Sequence, residues 1–387
     1  MRSASTNTPA GRSASDLLTG VRGMAELVTD LRDSFDEAAR LPDVVFDHLS
    51  ALGAFRMWLP TACGGPQLSA LAFMEVVEAA AALDGTIGWL VGNGGGMSRC
   101  GAFLEADSAA AIFDDDSAFV VSATGAIGRA EHVDGGFVVS GRWPFGSGGS
   151  HGTWFAALCA VEGDGTPTDE IIFVYAPRID VVLHDNWHVS GLLATGSVDF
   201  ELRHVFVAER FTHAFQPTPR QAGTLYRLPT RSIFAWTVAT VPLGLARGAV
   251  AEFVRIARTR QRRGQTPLAE RELVQSQLGR VEARLSASRA YLTEAMEDLL
   301  AGVEAGADLE AARVAFRMAC TYASQSALSA IDQVTQMAGA VAISRACTLE
   351  RFERDARAAA KHIAMSPDAY VTGGMHMLGQ ELSNRAF

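Results

Sequence analysis

Three features of this chain combine residue types that could do chemistry: a serine among glycines, a late histidine and a run of arginines. Ser147 lies in Gly141-Arg142-Trp143-Pro144-Phe145-Gly146-Ser147-Gly148-Gly149. Its hydroxyl can donate and accept, so it can govern a proton on a bound group, or it can be a plain turn serine. Phe145 and Trp143 share a parity along that stretch. Either ring could stack on a planar ligand, worth roughly 0.5–1.5 kcal/mol beyond burial, or face inward as core. His362 could deprotonate a phenol or protonate a departing oxygen. It could equally be a helix-surface histidine, since Lys361 precedes it. The cluster Arg258-Thr259-Arg260-Gln261-Arg262-Arg263-Gly264 offers planar forks for a phosphate, or is a solvated helix end. His151, in the loop beside Ser147, is expected at the surface. His184 and His188 flank Trp187, and no carboxylate or cysteine completes a metal set with them, so no metal is expected.

These residues need a scaffold, and the bulk of the chain supplies one. Its 387 residues exceed one comfortable core, and 48% hydrophobic against 20% charged residues describes a well-buried globular protein. Forty-three acids against 33 bases give a net charge of −10, which offers no general attraction for nucleic acid or an anionic membrane. The five cysteines are scattered without a Cys-x-x-Cys spacing, as expected of reduced, mostly buried thiols in the cytoplasm. No apolar run reads as a membrane span.

The period of the pattern changes twice. Residues 1–15 read as a flexible tail and 16–116 as an N-terminal helical domain, with Gly53 ending a helix and Gly92–Gly96 expected as a loop. Those glycines could leave room for a bulky ring system. Residues 117–215 hold short runs of β-branched and aromatic residues separated by turns such as Asp134-Gly135-Gly136, which predicts antiparallel strands. Residues 225–387 return to long amphipathic segments near 235–260, 268–302, 308–340 and 348–365, the pattern of a four-helix bundle.

That order, with Leu41-Pro42-Asp43 through Leu59-Pro60 and Gly64-Gly65, Pro242-Leu243-Gly244, Gln336…Gly339 and Glu350-Arg351-Phe352-Glu353-Arg354-Asp355, resembles the acyl-CoA dehydrogenase family over nearly the whole chain. The resemblance implies an α+β fold: helical domain, antiparallel β domain, helical bundle. It also shows what is missing. The glutamate that serves most dehydrogenases as base falls at Ala346, and the alternative seat falls at Phe234; neither accepts a proton. Ser122-Ala123-Thr124-Gly125 lacks the Thr-Glu-Pro signature, and His362 stands where the family has a tyrosine.

The stretch from Trp143 to Trp154 is similar instead to the Trp-x-Phe-x-Ser-Gly…Trp motif of the group D flavin monooxygenases, which share this fold. That resemblance implies the oxygenase component of a two-component system. Reduced FMN or FAD would come from a separate flavin reductase and react with O2 to a C4a-hydroperoxyflavin that hydroxylates an aromatic or polycyclic substrate. It places Ser147 at flavin N5, Phe145 and Trp143 against the ring, Trp89 and Ser122 at the cavity wall, and His362 as the catalytic acid or base. It places Arg260 and Gly339 at the cofactor of a neighbouring subunit, within a homotetramer. A divergent acyl-CoA dehydrogenase and a flavin-dependent N- or S-oxygenase are the alternatives. The absence of a Gly-x-Gly-x-x-Gly element after a strand fits reliance on a partner reductase.

Overall fold

A computed structural model describes residues 13–163, 166–259 and 266–382. The N-terminal layer is helical: α1 (Ala14–Gly23), α2 (Ala25–Ala38), α3 (Asp43–Leu52), α4 (Ala70–Leu83), α5 (Gly85–Met97) and α6 (Ala106–Phe113). Ser13 and Asp16 form a reciprocal capping box at the start of α1. Gly53 ends α3 at φ +79°, the left-handed position glycine favours.

The glycine-rich segment expected as a loop is the second half of α5. Its glycines are there for packing rather than for flexibility. A Cβ at Gly92 or Gly96 would collide with Thr237, one at Gly94 with Phe119, and one at Gly95 with Met57. The helix is therefore clasped closely on three sides, which outweighs the roughly 1 kcal/mol per glycine that propensity alone would cost. The space above these glycines is filled by neighbours and does not house a ring system.

Seven strands form one sheet: β1 (Val120–Val133), β2 (Gly136–Gly146), β3 (Trp154–Gly163), β4 (Thr166–Pro177), β5 (Val182–His184), β6 (Val198–Ala208) and β7 (Thr212–Ala214), in the order β5-β6-β2-β1-β3-β4-β7. Asp134-Gly135 closes the β1–β2 hairpin. The sheet is mixed, not wholly antiparallel, because β1 and β3 run parallel, with Val120 opposite Trp154. β2 turns back along one edge of β1, and β3 turns again and takes its free edge, so it must run with β1.

The C-terminal part contains α7 (Thr224–Arg227), α8 (Thr230–Ala239), α9 (Val241–Thr259), α10 (Glu272–Ala305), α11 (Glu310–Ala338), α12 (Thr348–Ala359) and α13 (Asp368–Met377). Helices α9 to α12 pack as the bundle. The stretch 230–259 is long and apolar enough by composition to cross a membrane, contrary to the expectation from sequence, but 83% of its apolar window is buried inside the fold. Most of the apolar core is one contiguous cluster running through all three parts of the chain.

A buried ionic cluster joins those parts. Arg351 on α12 donates through Nε to Asp84 (2.6 Å) and through Nη1 to Asp36 (2.6 Å). Arg354 pairs with the other oxygen of Asp36. Asp84 is also the N-cap of α5, accepting from Thr86 N–H at 2.9 Å. Asp355, one turn on, accepts from Leu192 N–H at 2.7 Å. Burial, and then the charge of Asp84, hold its carboxyl well above the usual carboxylate range. Two arginines thus face three carboxyl groups, and of the three it is Asp355 whose proton is held to higher pH. Burial alone would lower the Arg351 guanidinium, but the Asp84, Asp355 and Asp36 carboxylates outweigh it and raise it.

Arg351→Ala strands Asp84 in the interior and is expected to lower stability by about 3–5 kcal/mol in urea unfolding. Because the folded-state pKa of Asp355 is raised, its stabilisation is complete at low pH and is lost as pH rises through the folded value. Asp355→Asn, which stays neutral and keeps an acceptor for Leu192, should therefore gain on the parent protein at pH 8 relative to pH 5 in the same measurement.

Candidate active site

Helix α5, the end of β2 and the loop before β6 converge on Ser147. The end of β2 is irregular: its pairing with β6 slips between Trp143 and Gly146, and Phe145 adopts φ +65°. A bulky residue at positive φ is strained, and such strain is found where surrounding structure fixes a functional conformation. Ser147 N–H closes the turn onto Phe145 O at 2.9 Å. The outcome is a large ring that is 65% exposed beside a hydroxyl that is 8% exposed. The aromatic neighbour of Phe145 among the described residues is Trp187, perpendicular to it with ring centres 6.2 Å apart.

The Ser147 hydroxyl belongs to a chain. Trp89 Nε1–H donates to Ser147 Oγ at 3.0 Å. Ser147 Oγ lies 2.8 Å from Ser197 Oγ, and Ser197 Oγ lies 2.6 Å from Thr195 Oγ1. Thr195 donates to Leu192 O at 2.7 Å. Each hydroxyl has one proton, so the carbonyl at the end fixes every direction. Thr195 spends its proton on Leu192, Ser197 therefore donates to Thr195, and Ser147 donates to Ser197. Ser147 is left with a lone pair and no free proton. Ser197 and Thr195 were not singled out from the sequence; the only signal was the Thr195-Gly196-Ser197 triplet, which the structure places just before β6 with Gly196 at φ +50°.

His362 is half-buried at the entrance to the turn Ile363–Met365, and its ring meets Trp89 edge-on with centres 5.7 Å apart. Its Nδ1 accepts from Ala364 N–H at 3.2 Å. The neutral ring therefore carries its proton on Nε2 and can offer only a donor there. Burial, and then the nearby Arg317 cation, push its pKa down to about 4.

The other expected residues separate. Trp143 is fully buried in the sheet, donates to Leu158 O at 2.9 Å and stacks on Phe200, so packing takes its ring out of reach of a ligand. Ser122 is half-buried on β1 opposite Ala156. Gly339 ends α11 at φ +69°, exposed. Arg260 lies outside the described residues. His151 is not at the surface: it stacks on Phe46 and binds Leu41 O at 2.9 Å. His184 pairs with Glu201 at 2.8 Å. Among the described residues no group of His, Cys, Asp or Glu is arranged to hold a metal. A cleft of about 530 Å³ is lined by Glu75, Glu78, Arg247 and Arg289. It contains none of the residues above, and Glu78 is already paired with Arg289 there.

The sequence and the fold are both shared with known proteins. Residues 236–367 match the family described as acyl-CoA dehydrogenase, C-terminal domain. Over 372 residues the chain is 30% identical to indole-3-acetate monooxygenase of Pseudomonas putida, covering 94% of this chain and 93% of that one. It is 27% identical to the oxygenase component of an FADH2-dependent resorcinol hydroxylase of a Rhizobium species, with 94% of each covered. The crystal structure of the HsaA monooxygenase from M. tuberculosis superposes with a TM-score of 0.88 at 26% identity, covering 97% of this chain and all of that one.

A histidine with a depressed folded-state pKa favours the fold when neutral, and that stabilisation is lost as pH falls below about 6.5 toward the folded value. NMR titration of the His362 ring should give a midpoint at least one unit below 6.5, with the Nε2–H tautomer throughout the neutral range.

Proposed function

The chain belongs to the flavin-dependent monooxygenases built on the acyl-CoA dehydrogenase fold, and from that premise we infer how its residues serve the reaction. It is an oxygenase component: a separate reductase provides reduced flavin, and an aromatic substrate is hydroxylated. The bound flavin supplies the chemistry of O2 activation, placing one oxygen atom on the substrate and leaving the other as water. The relative named for FADH2 favours FAD over FMN. Relatives named for indole-3-acetate and resorcinol favour ring hydroxylation over N- or S-oxidation. Ala346 and Phe234, neither of them a base, speak against a dehydrogenase.

The residues fit a flavin. A planar cofactor needs an uncovered aromatic face and a polar group at its rim, and the strained, exposed Phe145 beside Ser147 provides both. Phe145 would stack on the ring system, and Ser147 would hold its central N–H.

The polarity of the hydroxyl chain carries the proposal. With Ser147 donating to Ser197, its remaining lone pair would accept an N–H, which a flavin bears at N5 when reduced. Keeping a proton on N5 withholds it from the loss of hydrogen peroxide that would waste the oxygen. Trp89 fixes the Ser147 oxygen from one side and Ser197 from the other. His362 presents Nε2–H beside Trp89 and donates to the oxygen of the substrate or of the departing group. It is neutral at pH 7, so it acts as a hydrogen-bond donor rather than as a base. The expected phosphate contact of Arg260 calls for a second subunit, and a cytoplasmic homotetramer belongs to the same proposal.

Ser147→Ala should lower the fraction of reduced flavin oxidation that yields hydroxylated product by about tenfold, in line with one lost hydrogen bond of 1–2 kcal/mol, with peroxide released instead. Ser197→Ala, whose lost hydroxyl is hydrogen-bonded to Ser147 and Thr195, should shift the ratio in the same direction by a smaller factor. Product and peroxide quantified per NADH, with a reductase present, measure this. Unchanged coupling in Ser147→Ala would refute its role.

A further inference from the structure

Arg99 is a cation sealed in the protein with no carboxylate paired to it among the described residues. It lies in the 3-10 turn Ser98–Ala102 that continues α5, the helix bearing Trp89, and it is 3% exposed. Its Nε and Nη2 are buried and make no hydrogen bond among the described residues. The groups that act on its charge are Tyr175, Cys100 and Tyr226, with no carboxylate among them. None of the three supplies a negative charge. Burial pushes the Cys100 thiol up to about 12 and raises both phenols. Neither phenol proton is free: Tyr175 donates to His213 Nε2 at 2.8 Å, since His213 Nδ1–H is spent on Ala214 O, and Tyr226 donates to Trp58 O at 3.1 Å. His213 is itself neutral, its pKa pushed down to about 4, chiefly by burial.

The fold nonetheless holds this cation in place. Ser98 donates to Gly95 O at 2.7 Å and accepts from Trp58 N–H at 3.0 Å, which locks the turn. The guanidinium carbon lies 4.8 Å from the centre of Phe103 and 5.6 Å from that of Phe234. Two ring faces compensate an unpaired guanidinium only partly, and a buried charge with idle N–H groups is retained at a cost. Phe234 is half-buried on α8, which packs against both α5 and the Ile363–Met365 turn capped by His362. Arg99 is thus attached to the same pair of helices as Trp89 and His362, with an aromatic ring beside it.

We propose that Arg99 anchors the carboxylate of an aromatic acid, with Phe234 and Phe103 flanking the ring that carries it. A carboxylate matches the planar fork and would satisfy the idle donors in paired charge-assisted bonds. A neutral aromatic would leave them empty, so binding at Arg99 would discriminate by charge as well as by shape. The proposal rests on the oxygenase assignment for what happens to the bound ring, but not for the binding itself.

The test uses the full-length, flavin-free protein and calorimetric titration with phenylacetate, 1-naphthylacetate and their primary amides. The acids should bind at least about tenfold tighter than the amides, the range expected of charge-assisted bonds. Arg99→Gln should erase that preference, and Arg99→Lys should keep part of it. Without ligand, Arg99→Gln should melt above the parent protein, because an uncompensated cation has gone. Equal binding of acid and amide by the parent protein, no binding of either, or an undiminished preference in Arg99→Gln would overturn the proposal. So would acetate binding as tightly as the aryl acids. Anaerobic binding of reduced flavin, run alongside, separates the two claims. If it persists while the acid preference is absent, only the Arg99 anchor fails; if it too is absent, the oxygenase mechanism fails.

Discussion

The hydroxyl chain at Ser147 and the indole that meets it depend on the buried guanidinium of Arg351. It ties α2 through Asp36, the cap of α5 through Asp84, and its own helix one turn on toward Asp355. Two strands of structure leave this point and meet again. Along one, Asp84 starts α5, which carries Trp89. Along the other, Asp355 holds Leu192 N–H, and Leu192 O ends the chain of hydroxyls through Thr195 and Ser197 to Ser147, where Trp89 donates. The close approach of Gly191 to Arg354 O, which any side chain would block, and the positive φ of Leu192 keep that loop against α12. A buried ion pair contributes little net stability but is strongly destabilising to break. Here it registers three parts of the chain so that four hydroxyl and indole groups fall within hydrogen-bond distance.

Registration has a chemical consequence because a carbonyl cannot donate. Leu192 O accepts, and so the orientation of each hydroxyl follows in turn up to Ser147. A lone serine could serve a ligand as donor or acceptor by rotating; a serine at the head of an anchored chain cannot rotate without breaking a buried hydrogen bond. On the proposed placement of the flavin, this would bias the site toward a flavin that carries a proton on its central nitrogen. That bias suits an oxygenase component that must take up reduced flavin from another protein and let the oxidised form go.

Much of this was legible in the sequence, and what was not has physical causes. The change of period at the β region, the Asp134-Gly135 turn and the amphipathic segments of the bundle marked out helix, sheet and helix in order, because local burial patterns reflect local structure. Ser147, Phe145, Trp89 and His362 were identified by motif, and the fold brings Ser147, Trp89 and His362 together. The glycines of α5 misled because glycine in isolation signals a turn, whereas here each one makes way for a side chain or backbone distant in sequence. Trp143 shares its parity with Phe145, but the irregular turn between them breaks the alternation and sends one ring inward and the other out. Arg99 gave no signal, and Ser197 and Thr195 none beyond their Thr-Gly-Ser triplet, since their importance lies in partners, or the lack of them, that only the folded chain defines.

The central claim is that Ser147 faces the flavin as an acceptor, and the most direct measurement is the pair of dissociation constants for reduced and oxidised FAD, taken anaerobically and aerobically on the same protein. Reduced FAD should bind at least about tenfold tighter, the equivalent of one hydrogen bond gained against two lone pairs opposed. That gap should narrow when Ser197→Ala frees the Ser147 proton. Equal affinities, or tighter binding of the oxidised form, would contradict the account.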